Sequence, residues 1–288
     1  MKGTKTIAAV IMAMTVTMIA ACGNKAGEDS KTTTSTAEPT IYGTLTIKVG
    51  DVSVSWIKDN TGDHLMSPSL FEEASDSIIE ALGLSDGIPS TVSAFLVETG
   101  SDTILFDTGL GEVNGGQLIN RLATLGLQAS DIKLIYLTHY HNDHIGGLLD
   151  PAGERAFPNA EVYVSRTEHE AWMAMPADKT EAQCATVANY VEQLRLFAPG
   201  DTLPGGVITI DAAGHTPGHT AFQIDSLLII GDLIHGAALQ LDNPELCPSY
   251  DMDKEAATAS RRRLLDYARK NSLTMAGMHL PVPAFLYP

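Results

Sequence analysis

Four residues of metal-ligating type fall within six positions of this chain, in the run His139-Tyr140-His141-Asn142-Asp143-His144. Imidazole nitrogens and a carboxylate at this density suit Zn²⁺ or another borderline divalent metal. A lone histidine is more often a structural residue, but four ligand types in one short run, followed by Gly146-Gly147, are not accounted for that way. A tight loop turns the side chains of 139 and 141 to one side and those of 143 and 144 to another, which suits two adjacent ions. Two further segments add to the set. Gly214-His215-Thr216-Pro217-Gly218-His219-Thr220 offers two imidazoles in a Gly- and Pro-containing loop able to approach an ion, and Ile229-Ile230-Gly231-Asp232 ends an apolar run in a carboxylate. His279 stands between the apolar run 273–278 and Leu280-Pro281. Together these residues provide ligands for two metals.

The elements that must position them read as alternating β-rich and helical stretches. Ile41 to Val49 and Val52 to Ile57 alternate in polarity around Gly50-Asp51, predicting a hairpin. A helical stretch follows from Ser69 to Leu82, and a second β pair from Val92 to Glu98 and Thr103 to Phe106. A helix starting near Gly116 leads to the short β run Ile132 to Leu137, which delivers the ligand run directly. Glu161 to Val164 reads as a strand; Arg166 to Met175 and Glu181 to Leu196 read as helices. Val207 to Ile210, Ala221 to Ile224 and Leu227 to Ile230 are predicted strands. In the helix expected over Asp253 to Lys270, Ala256, Ala259, Leu264, Tyr267 and Ala268 fall on or near one face. The triplet Arg261-Arg262-Arg263 then falls largely on the solvated side. This order suggests two packed sheets covered by helices, an α+β fold.

With 288 residues, 44% hydrophobic and 18% charged, the chain suits one globular domain behind a leader. Lys2 and Lys5 precede an apolar stretch from Ile7 to Ala21 that is short for a bilayer and ends in Ile19-Ala20-Ala21-Cys22, the pattern of a secretory signal. That ending resembles a bacterial lipobox, which implies a signal peptide over 1–21 and a lipid on Cys22. Residues 22–40 are polar and Thr-rich, a tether unable to bury a core. Residues 41–288 form the expected catalytic domain, exported and lipid-anchored at the bacterial cell membrane on its extracytoplasmic side. The formal charge of −17 argues against nucleic acid as a partner. Cys184 and Cys247 suit either a disulfide or two free thiols, and a homodimer is compatible with the sequence.

Taken in order, the ligand segments resemble the metallo-β-lactamase fold superfamily over nearly all of 41–288. The resemblance implies a four-layer αββα sandwich with the metals at one edge. It implies that His139, His141 and His219 hold a first metal, that Asp143, His144 and His279 hold a second, and that Asp232 bridges them. His215 is assigned to the surrounding shell. Asp107, in Leu105-Phe106-Asp107-Thr108-Gly109, matches the family's Asp-Thr-Gly segment and is expected to accept a hydrogen bond from a metal-bound imidazole. The implied cofactor is a pair of divalent ions, zinc for preference, sharing a hydroxide that attacks a small ester-type substrate.

Within that superfamily the chain is most similar to methyl parathion hydrolases and quorum-quenching lactonases. The likeness rests on Gly50-Asp51, the segments 94–100 and 157–162, the His-Thr-Pro-Gly-His run and Gly231-Asp232-Leu233-Ile234-His235. The expected reaction is cleavage of a lactone, carboxylic ester or phosphotriester. The alternatives are a β-lactam or thioester hydrolase of the same fold and a non-catalytic lipid-anchored metal- or ligand-binding protein. Asp232 in the bridging position disfavours a true β-lactamase. Asp143 and His235 are the expected catalytic residues; His235 stands where acyl-homoserine lactonases place a Tyr, and it is expected to face the pocket and donate to the substrate.

Overall fold

A computed structural model describes residues 43–288. The predicted signal, Cys22, the tether and the first two residues of the predicted hairpin lie outside the described residues. Among those described, no helix is long and apolar enough to cross a membrane.

In chain order the elements are β1 (Thr44–Val49), β2 (Val52–Lys58), β3 (His64–Met66), α1 (Asp76–Ala81), β4 (Ile88–Ser90), β5 (Ser93–Glu98), β6 (Thr103–Phe106), α2 (Leu118–Thr124), β7 (Leu134–Tyr136), α3 (Asn142–Ile145), β8 (Glu161–Ser165), α4 (Arg166–Met173), α5 (Glu181–Tyr190) and β9 (Leu194–Phe197). They continue with β10 (Thr202–Leu203), β11 (Val207–Asp211), β12 (Thr220–Ile224), β13 (Leu227–Gly231), α6 (Ala237–Gln240), α7 (Lys254–Lys270), β14 (Thr274–Gly277) and β15 (Phe285–Leu286). One seven-stranded sheet runs β1-β2-β5-β6-β7-β8-β9 and one six-stranded sheet β10-β11-β12-β13-β14-β15, while β3 and β4 pair separately.

The period-2 alternation of the first sheet decides the layering. Phe95, Val97, Ile104, Phe106, Leu134 and Tyr136 point into a core shared with Phe222, Ile229 and Ile230 of the second sheet. Their immediate neighbours Ala94, Leu96, Leu105 and Ile135 point the other way, into a core closed by Leu118 and Leu122 of α2, Trp172 of α4 and Tyr190 of α5. On the far side of the second sheet, α7 buries Leu264, Leu265 and Ala268. The layers are therefore helix, sheet, sheet, helix, the expected αββα sandwich. A fully buried side chain of this size contributes about 1.5–3 kcal/mol, so the inward and outward stripes fix the register firmly.

Three sequence expectations change. The helix predicted over 181–196 ends at Tyr190, because Leu194-Arg195-Leu196-Phe197 joins the sheet edge in parallel with Val162 to Ser165. The stretch 69–82 is helical only at Pro68–Leu70 and Asp76–Ala81, where Ser75 caps the second segment. The face of α7 is rotated relative to the expected one: Ala257, Ser260, Arg261, Leu264, Leu265 and Ala268 are buried, while Ala259 and Tyr267 are exposed. Arg261 is thus not on a solvated face. Its Nε donates to Leu233 O at 2.7 Å, one Nη to Pro244 O at 2.7 Å and the other to Asp251 Oδ2 at 3.2 Å. Cys184 and Cys247 are both free thiols, Cys184 exposed and Cys247 buried.

Candidate metal centre

The ligand run leaves the end of β7 and enters the one-turn helix α3, with His141 at its N-cap. Because the chain turns there, His139 and His141 point toward one place and Asp143 and His144 toward another. The opposite sheet contributes the loop before β12, the end of β13 and the end of β14. Gly231 makes the second of these work: the register slips between Ile229 and Gly231, and the glycine sits at φ 52°. A Cβ there would lie 2.4 Å from His219 Nε2, so Asp232 can be presented only by a glycine before it.

Among the described residues four overlapping groups of ligand atoms result. His139, His141, His215 and Asp232 form the first and Asp143, His144 and His279 the second; the other two bring in His235, with His215 and Asp251 or with Asp232 and His279. In the first, His141 Nδ1 lies 3.0 Å from His139 Nε2 and 2.9 Å from His215 Nε2. In the second, His279 Nε2 lies 3.3 Å from Asp143 Oδ2 and His144 Nε2 3.9 Å from Asp143 Oδ1. Asp232 joins them. Its Oδ2 is 3.2 Å from His215 Nε2 and 3.2 Å from His279 Nε2, and its Oδ1 is 3.1 Å from His144 Nε2.

The geometry reverses the expected roles of the two histidines in the 214–220 loop. His219 donates from Nδ1 to Ala212 O at 3.0 Å and accepts at Nε2 from the Asp232 backbone N–H at 3.0 Å. Both its nitrogens are spent on backbone, so it braces the Asp232 loop and has no nitrogen left for an ion. His215 turns Nε2 into the first group and bonds Asp251 Oδ1 through Nδ1 at 2.8 Å. Every other histidine of the centre whose outer nitrogen is engaged finds an oxygen there. His139 Nδ1 meets Thr138 Oγ1 at 2.9 Å, His144 Nδ1 meets Asp107 Oδ2 at 2.7 Å, and His279 Nδ1 donates to Thr91 O at 2.7 Å. Such partners fix the ring and the tautomer of a metal-binding imidazole. Asp107 thus stands where the sequence expectation put it, at φ 57°, with Thr138 donating to both its oxygens.

The electrostatics fit a site built for cations. With protons alone to balance the carboxylates, burial resists charge on His279, but Asp232 and Asp143 carry it up to about 10. His144 and His215 are likewise raised against burial, by Asp232 with Asp107 and Asp251 respectively. Burial pushes His141 and His219 down to about 3 and His235 down to about 4, with neighbouring imidazoles adding to the effect. Burial would raise Asp232, but His144, His279 and His235 hold it well below the usual carboxylate range. His144 Nε2 and Asp232 Oδ1 are buried and face one another without a hydrogen bond. Orphaned polar atoms of this kind are costly, and a divalent cation between them removes the cost. Imidazoles with carboxylates suit zinc.

His235 is brought to the centre and lines the cavity, as expected, with its Nε2 engaged by a neighbouring carboxylate. Its Nε2 is directed at Asp232 Oδ2 at 3.0 Å, its ring stacks on His279 at 5.1 Å, and it is 1% exposed. Gln240 holds its loop by accepting from the backbone N–H of His235 and of Gly236. The residue standing over it is Tyr250, with ring centroids 4.9 Å apart. Among the described residues the Tyr250 hydroxyl has only Met66 Sδ, at 3.6 Å, as partner. Both line a cavity of about 680 Å³ that opens on Asp143 and His279 and is walled by Met66, Leu70, Val92 and Leu110. Sequence reading missed Tyr250, Asp251 and Glu168 and misplaced Arg261. The first two sit together in Tyr250-Asp251-Met252-Asp253, which ends on the α7 cap Asp253, and that polar cluster was the available signal.

Comparisons with known proteins agree with this fold. The family model described as the metallo-beta-lactamase superfamily matches residues 87–279. A probable metallo-hydrolase of Mycobacterium tuberculosis is 29% identical over 174 residues, 49% of this chain and 54% of that protein, so the match spans about half of its length. An N-acyl homoserine lactonase of Bacillus thuringiensis is 28% identical over 207 residues, 62% of this chain and 77% of that protein. Among solved structures, the dizinc quorum-quenching lactonase AidC superposes with a TM-score of 0.76 at 27% identity, covering 85% of this chain and 93% of AidC. The hydrolase AbOPH of the beta lactamase superfamily gives 0.76 at 30% identity, covering 86% and 94%. With its ligand groups, its sandwich and these matches in agreement, the chain belongs to the metallo-beta-lactamase superfamily.

Proposed function

We propose that this protein is a hydrolase using two divalent metal ions, zinc for preference, to cleave a lactone, carboxylic ester or phosphotriester of a small molecule. The observation that carries the reading is Asp232, whose two oxygens face both ligand groups at 3.1–3.2 Å. His139, His141 and His215 would hold one ion, Asp143, His144 and His279 the other, with Asp232 shared. Bound there, two such cations supply Lewis acidity toward a carbonyl or phosphoryl oxygen and make water a nucleophile at neutral pH.

The chain's own residues supply the rest. Burial alone would raise Asp143, but His144 and His279 hold its carboxyl well below its ordinary range, so it meets the substrate ionised. Its side chain is 31% exposed and lines the open cavity, where the substrate arrives. His235 steadies Asp232. The Tyr250 hydroxyl orients the substrate oxygen, and the apolar wall of Met66, Leu70 and Val92 takes an apolar substituent while excluding water. AidC and the Bacillus thuringiensis relative, both lactonases by name, support an ester-type bond; AbOPH, by name a hydrolase, agrees.

The test is metal analysis followed by a screen of the zinc-loaded protein against lactones, aryl esters, phosphotriesters, thioesters and β-lactams. About two equivalents of metal with turnover of one ester-type class is the expected result. Full occupancy without turnover of any class would return the protein to a non-catalytic binder. We further propose that the domain is exported and tethered by a lipid on Cys22; labelled fatty acid should enter the wild type and not Cys22→Ser.

A further inference from the structure

Glu168 is fully buried in the first turn of α4, yet it is no member of either ligand group. Its two oxygens accept four hydrogen bonds, two each. Oε1 takes the Tyr140 backbone N–H at 2.9 Å and Trp172 Nε1 at 2.7 Å. Oε2 takes Thr216 Oγ1 at 2.8 Å and the Gly218 backbone N–H at 2.8 Å. Tyr140 is the residue between His139 and His141, while Thr216 and Gly218 follow His215 by one and three positions. One carboxylate therefore ties the loop carrying two histidines of the first group to the loop carrying the third. The loops belong to different sheets. Gly218 permits the approach, since a Cβ there would lie 2.2 Å from the Glu168 backbone nitrogen. Gln183 of α5 braces the same loop from the other side, donating to Tyr140 O at 2.8 Å and Asn142 Oδ1 at 3.1 Å.

We infer that Glu168 is a positioning residue that presets the spacing of His139, His141 and His215 and so governs the metal affinity of the first group. All four partners are donors, so a carboxylate is required: a glutamine keeps one acceptor oxygen and turns an NH₂ toward two N–H or O–H groups. Among the described residues, none of the four hydrogen bonds of Glu168 reaches Asp143, His144 or His279. The effect is selective for one of the two ions.

The inference rests on the two-metal reading, and the experiment separates the two. Zinc is titrated into metal-free wild type and Glu168→Gln against a chromophoric chelator, and cobalt into both while the visible band is recorded. Circular dichroism and a melt establish that each metal-free protein is folded. The expected result is a first-group affinity weaker by about 10–100-fold, an altered cobalt band and a second-group affinity unchanged. Trp172 packs edge-to-face on His141 at 5.6 Å, so its fluorescence response to the first equivalent should weaken in parallel. If Glu168→Gln does not fold, Thr216→Val decides, because it removes one donor at nearly constant volume; a loss of a few-fold in the first group is expected. Wild-type affinities and band in a folded Glu168→Gln, or in Thr216→Val where that variant decides, overturn the inference. Failure of wild type to take up metal would instead overturn the metal reading.

Discussion

The two ligand groups differ in how they are held. The first is buttressed by side chains: Thr138 behind His139, Asp251 behind His215 with Arg261 behind it, and Glu168 tying the two loops. The second is held by Asp107 behind the His144 ring and by hydroxyls on its backbone, Thr108 on His144 O, Ser90 on His279 O and Thr91 on Met278 O and Leu280 O, while Asp143 opens to the cavity. The difference teaches that the first half is tied across the two sheets by one buried carboxylate, whereas the second is pinned locally by hydroxyls and turns its partly exposed carboxylate, Asp143, to the cavity.

The largest effect should come from Asp232→Ala, which cuts both halves at once: metal content falls from about two equivalents to below about one and turnover to background, read by elemental analysis and assay. His215→Ala and His219→Ala sharpen the comparison next. The His215 change should remove the first ion alone. The His219 change should keep both ions and cost about 1–3 kcal/mol in a denaturant melt, through the buried Asp232 N–H and Ala212 O left unpaired; the opposite pattern would restore His219 as ligand. Asp251→Asn and Asp107→Asn each attack one half, and each should weaken its own ion by about 10–100-fold while sparing the other. Equal loss at both ions in either variant would break the division into halves. Chelating both ions from the wild type should lower its melting temperature, since metal at 100-fold over its Kd stabilises by about 2.7 kcal/mol. The smallest effect is expected for Tyr250→Phe, a loss of one hydrogen bond to substrate worth about 2- to 10-fold in kcat/KM, with metal affinity intact.

The contiguous run from His139 to His144 was legible because its spacing alone brings four ligand-type residues into two adjacent groups, and the fold followed from its order with Asp232 and His279. The choice between His215 and His219 was not legible. They flank the same Pro217-Gly218, and only the position of the β13 end, which engages His219 Nε2 through the Asp232 N–H, decides which ring joins the ligand group. Arg261 was misplaced for a related reason. A helical arginine reads as solvated unless its acceptors are known, and Asp251, Leu233 O and Pro244 O lie 10 to 28 positions away in sequence. The strand β9 hid behind α5 because Glu192-Gln193 carries no Gly or Pro to mark the break.

The pocket wall stands on foundations of its own. Met66, with Leu70 against it, belongs to a small third core of Phe71, Ile79, Leu84, Ile88, Leu239 and Leu246, separate from the two cores that hold the sheets. That core is also a hinge between wall and centre: Ile88 lies two residues before Ser90, which holds His279 O, and Leu239 lies beside Gln240, which holds the His235 backbone N–H, so a change that loosens the wall is felt at both histidines.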